Sequence, residues 1–126
     1  MYKSLLKNKK QKINLLDNEV FRPLPFAPCY QVSNMGRIIG IYGKLLSPEN
    51  KGDYERVFIK TIDGIYKHFQ LHRLIAEMFC YGADISKEVH HINRNSHDNR
   101  AVNLVWCTSK QHDIIHRSIL RKRKEM

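Results

Sequence analysis

At 126 residues, 42% of them hydrophobic, the chain has room for one small domain or two small modules sharing a core. Lys and Arg number 22 against 12 Asp and Glu, a net charge of +10 that repels itself and favours a polyanion whose counterions are released on binding. Three cysteines without a C-x-x-C pair argue against a disulfide framework or a cysteine-rich zinc knuckle, and no apolar run is long enough for a signal sequence or membrane span.

Residues 1–18 read as a basic arm, with Lys3, Lys7, Lys9, Lys10 and Lys12 among scattered apolar residues. Pro23, Pro25 and Pro28 then prevent regular helix and favour an extended entry segment. Strand-like pieces follow: Tyr30 to Ser33, a turn at Asn34-Met35-Gly36, Arg37 to Ile41, and Lys44 to Leu46. Tyr54 to Ile59 and Ile65 to Leu71 flank Asp63-Gly64, a hairpin signal. These pieces predict one small antiparallel sheet.

A helix is predicted from His72 to Tyr81, with Leu74, Ile75, Met78 and Phe79 on its buried face and Gly82 as the stop. Val89 to Ile92 is a brief strand, residues 93–102 a polar loop, and Leu104 to Cys107 a second strand. Thr108-Ser109-Lys110-Gln111 has the form of a capping box, so Thr108 should cap a helix reaching about Lys122. Residues 123–126 end the chain as a basic tail. Cys29, Cys80 and Cys107 lie beside aromatic or apolar neighbours and read as buried, reduced thiols, which suits a reducing cytosol.

The last third gathers His90, His91, His97, Asn103, His112 and His116. A strand, loop, strand, helix order would bring His90 and His91 to one end of a hairpin where the capped helix begins. His112 and His116, four residues apart, share a helical face there. Imidazoles from strand and helix could then meet around one metal ion. Neighbouring strand residues point to opposite sides, so His90 and His91 suit different roles, one binding metal and one facing a reacting water. Each has a plainer alternative: a strand histidine satisfied by a backbone partner, or polar contacts around the loop. His97 reads as a loop residue, His68 and His72 as structural, and Trp106 as a packing anchor.

The stretch Val89-His90-His91-Ile92-Asn93, then Asn99 to Thr108 with Asn103 inside it, then Gln111-His112, resembles the HNH endonuclease motif with its ββα-metal fold. Upstream, Phe21 to Pro25 and Tyr30 to Ile38 resemble the element that commonly precedes that motif in phage and intron-encoded homing-type enzymes. Leu71 to Phe79 resembles the helix joining the two. The resemblance covers roughly residues 19–116. It implies an α+β fold: a small N-terminal antiparallel sheet plus helix, then a C-terminal ββα-metal motif. The implied organisation is the arm (1–18), a strand-rich DNA-contacting module (19–82), the nuclease motif (83–122) and the tail.

The resemblance further implies phosphodiester hydrolysis in DNA with one divalent metal. Mg2+ or Mn2+ come first, with Zn2+ or Ni2+ suited to a three-histidine site. His91 is then the general base, and Asn103 ties the loop and helps hold His91. His90 and His112 are metal ligands, with His116 a third. Arg37, Arg73, Arg94, Arg100 and Arg117 are candidate phosphate contacts by position. The implied partner is DNA rather than a membrane, with monomer and homodimer both open, in the cytoplasm of a bacterial or phage-infected cell. A rival from another class is a catalytically silent DNA-binding protein whose histidines hold a structural metal. Departures from the pattern are His90 where Asn or Asp is common, Asn93 where Asp is common, a missing loop glycine near Asn95-Ser96, and Phe21 where Trp is frequent.

Overall fold

The proline-rich entry is extended, as its fixed φ angles require. The computed structural model describes residues 13–50, 52–111 and 114. Strand β1 (Phe21–Leu24) pairs antiparallel with β2 (Ala27–Ser33), and β2 pairs with β3 (Ile38–Ile39). Pro23 is tolerated because, among the described residues, β1 is an edge strand with no ladder on its far side. Strands β4 (Arg56–Lys60) and β5 (Tyr66–Gln70) form a separate hairpin. The single sheet predicted from the strand signals is therefore two. Both edges of β2 are occupied by β1 and β3, so β4 packs beside β2 instead of pairing with it. Side-chain and loop hydrogen bonds link the sheets: Lys60 N–H donates to Tyr30 Oη (3.0 Å) and Ile62 N–H to Phe26 O (2.8 Å). The segment expected as strand from Arg37 to Ile41 is shorter because Gly40 turns the chain back, donating to Lys44 O at 2.8 Å.

Helix α1 (Leu71–Phe79) leaves β5 directly, without a side-chain cap. Its first N–H is satisfied by Glu55 O at 3.0 Å. It ends at Cys80, two residues before Gly82. Leu71, His72, Leu74, Ile75 and Ala76 are buried, while Met78 and Phe79 are only partly so. The burial stripe is thus shifted toward the helix start relative to the sequence expectation.

Strands β6 (Glu88–His91) and β7 (Leu104–Cys107) form the last antiparallel pair, with His91 opposite Leu104 and His90 opposite Val105. A 3-10 turn (Ala101–Asn103) leads into β7. The capping box forms reciprocally: Gln111 N–H donates to Thr108 Oγ1 (3.1 Å) and Thr108 N–H to Gln111 Oε1 (2.9 Å). Ser109–Gln111 are helical; the expected course of that helix to Lys122 lies outside the described residues, as do the basic arm to Lys12 and the tail.

One core joins both halves. Leu24, Val32 and Ile38 from the first sheet, Val57 and Ile59 from β4, and Leu71 and Ile75 from α1 pack in one cluster with Val89, Leu104 and Trp106. Each large aliphatic in it contributes about 2 kcal/mol through burial. Trp106 anchors β7 to α1 as predicted, donating its indole N–H to Ala76 O at 3.1 Å. The cysteines are free, but Cys29 is exposed, on an outward position of β2, and Cys80 is only partly buried. Among the described residues no helix is long and apolar enough to cross a membrane.

Candidate active site

The β6–β7 pair carries His91 inward. Its side chain is 6% exposed, and Nε2 lies 2.8 Å from Asn99 Oδ1. An amide oxygen can only accept, so Nε2 carries a proton, and the neutral form of this imidazole has its lone pair on Nδ1. Two further rings flank it. His72 of α1 lies 5.0 Å from His91 centroid to centroid, and Tyr54, in the loop before β4, lies 6.0 Å from it and 4.7 Å from His72. Burial pushes the His72 imidazole down to about 4, with smaller contributions from His91 and Arg73. It is therefore neutral at physiological pH.

His90 is half-buried, and with His91 it lines a cleft of about 450 Å³. Gly52, Asp53 and Tyr54 form one side of that cleft, and Arg94, Ser96 and His97 belong to the loop after β6. His97 is more than a loop residue: its Nδ1 meets Glu55 Oε1 at 3.2 Å, tying the loop to the base of the β4–β5 hairpin.

The loop itself is built on Asn103. Its Oδ1 accepts from Asn93 N–H (2.9 Å), and its Nδ2 donates to Asn93 Oδ1 (3.0 Å) and Asp98 O (2.8 Å). Asn103 thus ties the loop, but the hydrogen bond to the His91 ring comes from Asn99. Asp98 is held down to about 2, first by Arg100 and then by Asn93, so it is a carboxylate throughout the working range. Arg94 takes a left-handed backbone (φ 65°), in the stretch where the motif usually has glycine.

The candidate phosphate contacts separate by what they touch. Arg37 meets the buried Glu19 carboxylate through Nε (2.8 Å) and Nη2, and Nη2 also donates to Asn14 O (2.8 Å). Arg73 donates to Lys87 O (3.1 Å) and lies over the Trp106 ring. Arg100 makes a two-pronged pair with Asp98, both contacts 2.8 Å. These three have internal partners that sequence position does not show. Arg94 is exposed and lines the cleft. His112, His116 and Arg117 lie outside the described residues, and among the described residues no three His, Cys, Asp or Glu side chains group as a metal site.

The profile of the HNH endonuclease family matches residues 69–114, the stretch that contains α1, β6, the loop, β7 and the capping box. Residues 69–114 therefore carry an HNH endonuclease segment. The chain is 40% identical over 83 residues to the DNA endonuclease I-HmuI of Bacillus phage SP01, covering 64% of this chain and 47% of that protein. An uncharacterized HNH endonuclease of Acanthamoeba polyphaga mimivirus is 36% identical over 99 residues, 75% of this chain and 25% of its own length. The solved structure of the HNH homing endonuclease I-HmuI, which concerns DNA binding and cleavage, aligns with a TM-score of 0.70 at 32% identity. It covers 82% of this chain and 59% of that one. The chain therefore spans a quarter to about half the length of these curated relatives.

Sequence reasoning names His90, His91 and Asn103 as candidates but gives no role to Asn99, nor to Asp53 and Tyr54 upstream of the HNH segment. Asn99 stands inside the motif, and a buried Asn eight residues from a histidine carries no periodic signal. Tyr54 and Asp53 reach the cleft only because the β4–β5 hairpin is folded against it. His72, read as structural, lies 5.0 Å from the His91 ring, tilted by 39° to it.

Proposed function

We propose that this HNH protein is a metal-dependent DNA endonuclease of the homing type, with His91 as general base. The observation that carries the reading is a buried imidazole on the cleft lining whose Nε2 is held by Asn99 Oδ1, which leaves Nδ1 as its basic nitrogen. His91 takes a proton at Nδ1 from the attacking water. Asn99 keeps the tautomer, Asn103 keeps the loop closed around it, and the Tyr54 and His72 rings limit ring rotation.

A divalent ion suits the donor chemistry, since His90 places a half-buried imidazole on the same cleft wall. The residues that would hold it are His90 and His112, with His116 as a third imidazole; Mg2+ or Mn2+ is the proposed ion, Zn2+ or Ni2+ the fit for three histidines. When bound, such an ion supplies positive charge to the scissile phosphate and the leaving 3′ oxygen. Arg94 sits where it can bind an adjacent phosphate. The products would be a 5′ phosphate and a 3′ hydroxyl. On this reading residues 19–82 form the DNA-contacting module and 83–122 the nuclease motif.

The test is incubation of plasmid DNA with the protein and Mg2+, Mn2+ or Ni2+. The parent should nick or cut. His91→Ala should lose about 10²- to 10⁴-fold in kcat while retaining DNA affinity. Failure of the parent to cut with any of the metals, despite tight DNA binding, would defeat the proposal.

A further inference from the structure

Asn99 orients the proposed base, yet it sits in irregular backbone between Asp98 and the 3-10 turn. What fixes Asn99 comes from far upstream. The turn between β2 and β3 lies flush against it: a Cβ added to Gly36 would fall 3.1 Å from Asn99 C, 3.2 Å from its O and 3.4 Å from its Cβ. The neighbouring Ala101 N–H donates to Asn34 O at 2.8 Å. The closest of these contacts are with main chain, which cannot swing aside as a flexible side chain would.

The turn is itself rigidly held. The buried Ser33 Oγ accepts from Met35 N–H (3.1 Å) and Arg37 N–H (3.0 Å). The Asn34 side chain accepts from Val20 N–H (2.8 Å) and donates to Asn18 O (3.0 Å). Arg37, the next residue after Gly36, is paired with the buried Glu19. Local chemistry of a tight turn needs only the glycine at φ +86°; the surplus bracing fits a turn that must bear on something.

We infer that the Asn34–Gly36 turn is a positioning element for His91, acting through the Asn99 backbone. This rests on the reading of His91 as the base. Gly36 makes room for Asn99 to approach, Asn34 O pins Ala101, and the two together set where Asn99 Oδ1 meets the imidazole. A displacement of well under 1 Å in Asn99 is transmitted to a 2.8 Å hydrogen bond, and misplacement on that scale is costly in catalysis.

The molecule contains its own control. Gly64, in the β4–β5 turn, has φ +84° and nothing within 4 Å of its Cβ position. Gly36→Ala and Gly64→Ala therefore impose the same backbone strain, and only the first meets Asn99. Three quantities are measured on each: melting temperature, kcat and KM for plasmid cleavage, and the 15N NMR shifts of the His91 ring nitrogens. Gly36→Ala is expected to lower kcat by about tenfold or more at unchanged KM and to mix the His91 tautomers; Gly64→Ala should match its loss in melting temperature with kcat and tautomer intact.

Equal kcat in the two variants, or an unchanged His91 signature in Gly36→Ala, overturns the inference. Should Gly36→Ala fail to fold, Ala101→Pro serves instead. It deletes the N–H that reaches Asn34 at the first position of a 3-10 turn, where proline is tolerated and where the preceding Arg100 is already extended (φ −65°, ψ 139°). The same two readouts decide. Because the tautomer measurement needs no cleavage, a parent that does not cut DNA defeats the nuclease reading while leaving this one to be judged on its own spectrum.

Discussion

The two glycine-turned hairpins of this protein are almost alike locally and opposite in what they do. Gly36 and Gly64 have φ within a few degrees of each other, and each turn is closed by hydroxyl and backbone bonds: Ser33 in the first, Thr61 in the second. The tip of the first presses on the Asn99 backbone, whereas the tip of the second stands in open space. The second hairpin contributes from its other end, where Tyr54 lines the cleft and Glu55 meets His97 and the first N–H of α1. Equivalent turn chemistry thus acquires a role only from what the rest of the fold places beside it.

The largest expected difference is at the brace of the first hairpin. Glu19→Ala should lower the unfolding free energy by about 3 kcal/mol, because it leaves Arg37 without its buried partner. The Arg37 guanidinium holds the Glu19 carboxyl down to about 2 from an ordinary 4.5. Its folded pKa is depressed, so the contribution is complete above the unfolded value and is lost as pH falls from about 4.5 toward 2. Chemical denaturation of parent and variant across that window checks both statements; a variant within about 0.5 kcal/mol of the parent at neutral pH would remove the brace from the account.

A smaller effect is expected where the second hairpin's stem meets the site. His72, neutral and buried behind Tyr54, binds a proton only near pH 4 in the folded chain but near 6.5 when unfolded. Between those values the unfolded state carries more protons, so stability rises with pH and drops on acidification by up to roughly 3 kcal/mol in all. His72→Phe keeps a ring in the stack and should flatten that slope. A slope that persists in the variant would assign it to other groups.

The least consequence belongs to the second hairpin's outer face. Phe58, about half exposed, stacks on Tyr66 (5.1 Å) and on the tilted ring of His68 (4.6 Å). Phe58→Thr should cost only about 0.5 to 1 kcal/mol by thermal melting. A loss several times larger would mean this face is held as firmly as the first hairpin, and the contrast would fail.

Much of this was legible in order along the chain. Strand-like runs between turn signals marked the strands, the Asp63-Gly64 pair marked a hairpin, Thr108 and Gln111 announced their reciprocal cap, and His90, His91 and Asn103 marked the HNH segment. These signals are local: each depends on backbone geometry or on side chains a few residues apart. The extent of the last helix, with His112 and His116 on it, lies outside the described residues.

Other features were decided by tertiary structure alone. Asn99 rather than Asn103 reaches the His91 ring; Arg37, Arg73 and Arg100 have internal partners, whereas Arg94 lines the cleft; and the strands before α1 divide into two sheets because β2 has no edge left to offer. Periodicity and spacing encode which face a residue takes, whereas hydrogen bonds and ion pairs between distant residues depend on separations in space that only the packed chain creates.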